Sequence, residues 1–177
     1  INFKDNKSLY DLISNDFKKL SYTNSFELVT KNNMSNLSLE IDKELGEEEY
    51  EIAINNKVVI KGGSLSAIKM ARSTLLQLSE NDKGRITFPI IKLNDSPDAA
   101  YRGLLIDLAR KWHKAETIYK LIDLASFYKL NYLQFHLTDD QLFTFPSENF
   151  PKLQTKDKHY TKEELLSFVD YAYQRGV

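Results

Sequence analysis

The stretch NYLQFHLTDDQ, residues 131–141, runs from apolar and aromatic side chains into two adjacent carboxylates, Asp139 and Asp140, with His136 just before them. Such a run reads as a strand that carries titratable groups to a surface at its end, where proton transfer is their general use. Partly buried carboxylates need a histidine or arginine partner, because an unpaired one is costly to desolvate. His136 shares the strand, but side chains alternate in direction along it, and a histidine in a parallel strand is more often a packed core residue than a catalytic one.

Other chemistries find no support. His113, His136 and His159 lack metal-ligand spacing, no H-E-x-x-H occurs, and no metal site is expected. Gly62-Gly63 precedes a helical pattern but lacks the Lys-Ser/Thr ending of a phosphate-cradling loop, so it reads as a turn into a helix. With no cysteine, the chain has no disulfide, thiolate metal site or cysteine nucleophile. Lys plus Arg number 24 against 25 Asp plus Glu, a net charge of -1, which argues against a nucleic-acid partner or a polybasic membrane patch. No apolar run reaches the roughly 18 residues of a membrane-spanning helix, and no signal peptide is visible.

The elements that must position these residues fall into two regions. In the first, Leu9, Leu12, Ile13, Phe17 and Leu20 repeat at helical spacing, and strands are expected over residues 26–30 and 37–41. Residues 50–54 and 57–60 alternate around Asn55-Asn56 and predict a hairpin. Ser64 then caps a long amphipathic helix carrying Leu65, Ile68, Ala71, Leu75 and Leu78, and residues 85–88 predict a closing strand. This is the pattern of a small α+β sandwich, with helices on one face of a mainly antiparallel sheet. Pro89 and NDSPDAA mark a change of character, which predicts domains at 1–93 and 94–177.

The second region alternates. A strand over residues 104–108, a helix over 116–128, a strand over 132–137 and a helix over 162–175 predict parallel βα units, with Gly176-Val177 opening a third strand. Roughly 80 residues hold two such units, whereas a closed (β/α)8 barrel takes roughly 200 to 250. Any barrel here is the opening of one.

NDSPDAAYRGLLIDLARKWH and YKLNYLQFHLTDDQ, with LGEEEYEIAI and GGSLSAIKMARSTLLQL before them, resemble the family 20 glycoside hydrolases, the β-N-acetylhexosaminidases. The long gapped pattern R-G-x-x-x-D-x-x-R followed by K-x-N-x-x-x-x-H-L-x-D-D carries the resemblance, which covers nearly the whole chain. It implies a small α+β domain followed by the first βα units of a truncated TIM barrel. By position, Arg110 matches the arginine that hydrogen-bonds sugar hydroxyls, a task suited to its rigid fork of donors. Asp139 matches a carboxylate in the network behind the general acid, and Asp140 is the weaker candidate for substrate binding. Asp107 and Arg102 read as structural partners.

The resemblance further implies removal of a terminal, non-reducing β-linked N-acetylhexosamine by a retaining, substrate-assisted route that needs no cofactor. The partner would be a glycan, and the location extracytoplasmic. The family's Asp-Glu catalytic pair is expected on a later strand, beyond residue 177, so this piece alone is expected to be inactive and open to self-association. Two departures bear on specificity: FTFPSENFPKL follows the acid pair, and Lys111 replaces the usual histidine after Arg110. A non-catalytic carbohydrate-binding or interaction module on the same scaffold is the other reading.

Overall fold

The computed structural model describes residues 9, 11–16, 37–82 and 85–177; the strand expected over residues 26–30 lies outside them, as do Phe17 and Leu20. The chain divides into two compact units, Ile1–Asp98 and Ala99–Val177.

In the first unit, helical residues 9 and 11–16 (α1) precede β1 (Leu37–Ile41), β2 (Tyr50–Ile54), β3 (Val58–Gly62), α2 (Leu65–Leu78), β4 (Glu80–Asp82), β5 (Arg85–Thr87) and β6 (Ile91–Asp95). The main sheet has the order β1-β3-β2-β6; β1 runs parallel to β3 and the other pairs are antiparallel. Register aligns Leu39, Ile60, Ile52 and Leu93 in one row across all four strands. The first three are fully buried, together with Leu9, Leu12 and Ile13 of α1 and Ala67, Ile68, Ala71 and Leu75 of α2. Burying each large aliphatic side chain contributes about 1.5–3 kcal/mol, so this row anchors the sheet to its helices. The α2 helix starts where expected, with the Ser64 hydroxyl accepting from the Ala67 amide. Helix and strand meet closely at Gly62, where a Cβ would stand 2.9 Å from Ile68 Cγ1.

Two expectations change here. The segment over residues 85–88 is not the sheet's last strand: among the described residues β5 pairs with β4 alone, in a separate ribbon. The fourth strand is β6, which runs through the boundary expected between residues 93 and 94; the division falls after Asp98 instead. An edge strand is half solvated, and IKLND buries little, so no buried alternation betrays it.

The second unit runs β7 (Gly103–Asp107), α3 (Ala115–Phe127), β8 (Tyr132–His136) and α4 (Lys162–Arg175). The two strands pair in parallel from Gly103↔Tyr132 to Asp107↔His136. Ile106, Leu133 and Phe135 pack onto a core of Leu108, Ile118, Ile122, Tyr160 and Phe168. Tyr160 and Phe168 meet edge-on with centroids 5.5 Å apart, and the Tyr160 hydroxyl donates to the His113 carbonyl at 2.6 Å. Burial pushes that hydroxyl's pKa up to about 12.

Arg102 is structural, as expected. Its Nε donates to the Lys129 carbonyl at 2.8 Å, steadying a turn where Lys129 adopts a φ of 58°. Helix α4 opens with a reciprocal cap between Thr161 and Glu164. It closes on Gly176 at φ 86°, with the Val177 amide donating to the Ala172 carbonyl. Gly176 closes the helix: the left-handed glycine turns the chain back onto the last carbonyls.

Candidate active site

The site residues stand where β7 and β8 end. Beyond β7, the amides of Leu108 and Ala109 both donate to the His136 carbonyl, at 2.9 and 3.0 Å, so the two strand ends are tied together. Beyond β8, Thr138 and Phe143 form an antiparallel bridge, and the Asp139 amide donates to the Leu142 carbonyl at 3.0 Å. Asp139 and Asp140 thus occupy a tight turn. The Thr144 hydroxyl donates to the Leu137 carbonyl at 2.8 Å and fastens the base of that turn.

Arg110 and Asp139, matched separately from the sequence, come together. Arg110 Nη2 lies 2.8 Å from Asp139 Oδ2, and Arg110 Nη1 lies 2.6 Å from Asp107 Oδ2. The guanidinium bridges two carboxylates while its side chain stays 55% exposed; the Asp139 side chain is only 17% exposed. His136 Nε2 lies 2.8 Å from the same Asp139 oxygen, and the Asp140 amide donates to Asp139 Oδ1 at 2.8 Å. Asp140 itself projects into solvent.

The electrostatics follow from these contacts. The hydrogen-bonded Asp140 carboxyl, then His136 and the Asp140 amide, hold Asp139 well below the usual carboxylate range. Asp140 is raised, by its hydrogen bond to Asp139 and by that neighbour's charge. Asp107 is lowered, first by the Arg110 amide and then by its guanidinium. The proton affinities of the two adjacent acids are thus pushed apart, chiefly by their contact with one another. Two of Arg110's five N–H donors are engaged by carboxylates; the fork is aimed and can take up hydroxyl oxygens.

Sequence reasoning passed over two members of this cluster, His136 and Asp107. His136 is not a packed core residue: its side chain is 38% exposed and faces Asp139. Asp107, read as a structural partner, pairs directly with Arg110. The usable signal was the three-residue step, Asp107 to Arg110 and His136 to Asp139, at the ends of two neighbouring strands. Among the described residues, no three His, Asp or Glu side chains are arranged to hold a metal ion, and no helix is long and apolar enough to cross a membrane.

Residues 100–177 match the model of the glycosyl hydrolase family 20 catalytic domain. The β-hexosaminidase of Vibrio furnissii is 28% identical over 165 residues, covering 81% of this chain and 27% of its own length. The β-hexosaminidase subunit beta of Mus musculus is 33% identical over 138 residues, covering 74% of this chain and 26% of its own. The chain therefore spans about a quarter of the length of these relatives. Among solved structures, the exo-β-N-acetylglucosaminidase of Vibrio harveyi in complex with N-acetylglucosamine matches at a TM-score of 0.87 with 27% identity, covering 97% of this chain and 30% of that one. The strand-end cluster thus lies within the segment that matches the catalytic domain, and the chain belongs to glycosyl hydrolase family 20.

Proposed function

We propose that these residues form part of a retaining β-N-acetylhexosaminidase, and that Arg110 holds hydroxyls of the terminal sugar while Asp139 belongs to the acid network. The observation that carries this reading is the Arg110 guanidinium spanning Asp107 and Asp139 at the ends of two parallel strands. In the route inferred from the family resemblance, the sugar's acetamido oxygen attacks the anomeric carbon and displaces the protonated leaving oxygen. Water then opens the oxazolinium ion with net retention. The chain's own contribution is to bind and orient. Arg110 grips the sugar, and Asp139 stays ionised beside His136, where it can fix the orientation of the acid machinery. Asp140, exposed beside them, is the less direct sugar ligand.

On this reading β7, α3, β8 and α4 are the first units of a (β/α)8 barrel, the preceding residues an accessory α+β domain, and the location extracytoplasmic. The parallel strand pair with its intervening helix supports the barrel assignment. Leu105 and Tyr132, 55% and 54% exposed, lie on the strand face turned away from the helices. Such a face and its unpaired strand edges favour self-association of the isolated chain.

The test compares the whole enzyme with the chain 1–177 on an aryl β-N-acetylglucosaminide. Hydrolysis with retention by the whole enzyme, none above background by the chain, and a large loss on Arg110→Ala are expected. Turnover by the chain alone, lost on changing Arg110 or Asp139, would overturn the reading.

A further inference from the structure

We infer that Asp107 is a positioning residue that presets the Arg110 guanidinium for sugar binding, gripping the backbone and the head group of the same arginine with its two carboxylate oxygens. The inference rests on the proposed β-N-acetylhexosaminidase activity and adds to it a residue that does not itself touch sugar.

The geometry is specific. Asp107 Oδ1 accepts from the Ala109 amide at 3.1 Å and from the Arg110 amide at 2.9 Å, shaping the turn that follows β7. Asp107 Oδ2 accepts from Arg110 Nη1 at 2.6 Å. The carboxylate therefore closes a ring through the arginine, from its amide along the side chain to the guanidinium. Asp107 is itself fixed as the last residue of β7, in register with His136, whose carbonyl takes the next two amides of the turn.

An arginine as exposed as Arg110 would otherwise sample many rotamers, and each would have to be given up when a sugar binds. Holding the head group before binding removes that loss, which is the usual gain from preorganisation. Asp139 holds the other side of the fork at Nη2, so two carboxylates on neighbouring strand ends define the guanidinium plane. The low proton affinity of Asp107 keeps the grip ionised across the neutral range.

Asp107→Asn separates the two grips. The amide oxygen still accepts from both turn amides, while the amide nitrogen presents a donor to a donor and releases the guanidinium. Kinetics are read on the whole enzyme with an aryl β-N-acetylglucosaminide, alone and in an Arg110→Ala background. The expected result is KM raised about tenfold with kcat changed less, as for lost ground-state binding. In the Arg110→Ala background the same change should cost less than about twofold, because residues acting through one another are not additive.

Full additivity, or an unchanged KM in the single variant, overturns the inference while leaving the proposed activity standing. A whole enzyme inert towards the substrate, or Arg110→Ala without effect, overturns the proposed activity and this inference with it. Asp107→Ser, which keeps one acceptor for the turn amides and none for the guanidinium, serves if the Asn variant fails to fold. Unfolding of both makes Asp107 purely structural and overturns the inference.

Discussion

Arg110 Nη2 and Asp139 Oδ2 meet at 2.8 Å across the turns that follow two neighbouring parallel strands, and His136 Nε2 donates to the same carboxylate oxygen at equal distance. On the proposed reading, sugar holding and acid tuning would share this one oxygen. Asp139→Asn in the whole enzyme should raise KM as well as lower kcat, because the amide disturbs Arg110 together with the acid network. Steady-state kinetics across pH check this: a shifted profile with KM unchanged would assign Asp139 to the acid network alone.

On the proposed reading Arg110→Ala should lower kcat/KM on the order of a hundredfold, the loss expected for two charge-assisted hydrogen bonds from one guanidinium to sugar hydroxyls. Lys111→Ala removes an exposed neighbour and should change kcat/KM less than about threefold. Measured side by side, equal losses would argue that general positive charge attracts the substrate, not a directed fork.

The two adjacent acids should influence stability in opposite senses. Asp139 has a depressed folded pKa, so its contribution is complete above its unfolded value of about 3.9 and is lost as pH falls through the lower folded value. Thermal unfolding of Asp139→Asn should show a deficit against wild type that is constant from neutral pH to about pH 4 and closes only below it. Asp140 has a raised folded pKa, so its contribution is complete below about 3.9 and is lost as pH rises through the folded value. Asp140→Asn should therefore gain stability over wild type at neutral pH and lose that advantage in acid. Parallel curves for the two variants would exclude the split.

Gly63→Ala should destabilise the first unit more than Gly62→Ala. A Cβ at Gly63 would stand 1.9 Å from the Gly46 carbonyl oxygen, a backbone atom that cannot turn aside. At Gly62 the nearest atoms are Ile68 Cγ1 at 2.9 Å and the Ile68 backbone nitrogen at 3.0 Å, a much milder overlap. Overpacking costs about 1–3 kcal/mol where neighbours can yield, and Gly63 should exceed that range. Denaturant titration of both variants, ranked by midpoint, checks the order.

Thr161→Ala removes one half of the reciprocal cap that opens α4 and should cost about 1 kcal/mol in the second unit. Thr161→Ser should retain most of that stability, since a serine hydroxyl reaches the Glu164 amide equally well. Thermal melts of the two variants, with helicity followed by circular dichroism, distinguish capping from packing.

Much of this was legible in the chain because the signals are local. Ser64 announces its helix by a hydroxyl placed before an apolar repeat and caps it as expected, and Thr161 caps α4 with the same chemistry. The runs around Leu105 and Phe135 declare two parallel strands, and Arg110 and Asp139 stand out within a long gapped motif. What escaped reading depends on pairing between distant segments. The edge strand β6 owes its conformation to hydrogen bonds with β2, not to its own weak alternation. Asp107 and His136 were undervalued because a spacing along one strand says nothing about which residue stands opposite on the next. Parallel register decided that, bringing Asp107 level with His136. Charges separated along the chain become one site only when backbone hydrogen bonds between strands set their distance, since electrostatic attraction is felt through space and not along sequence.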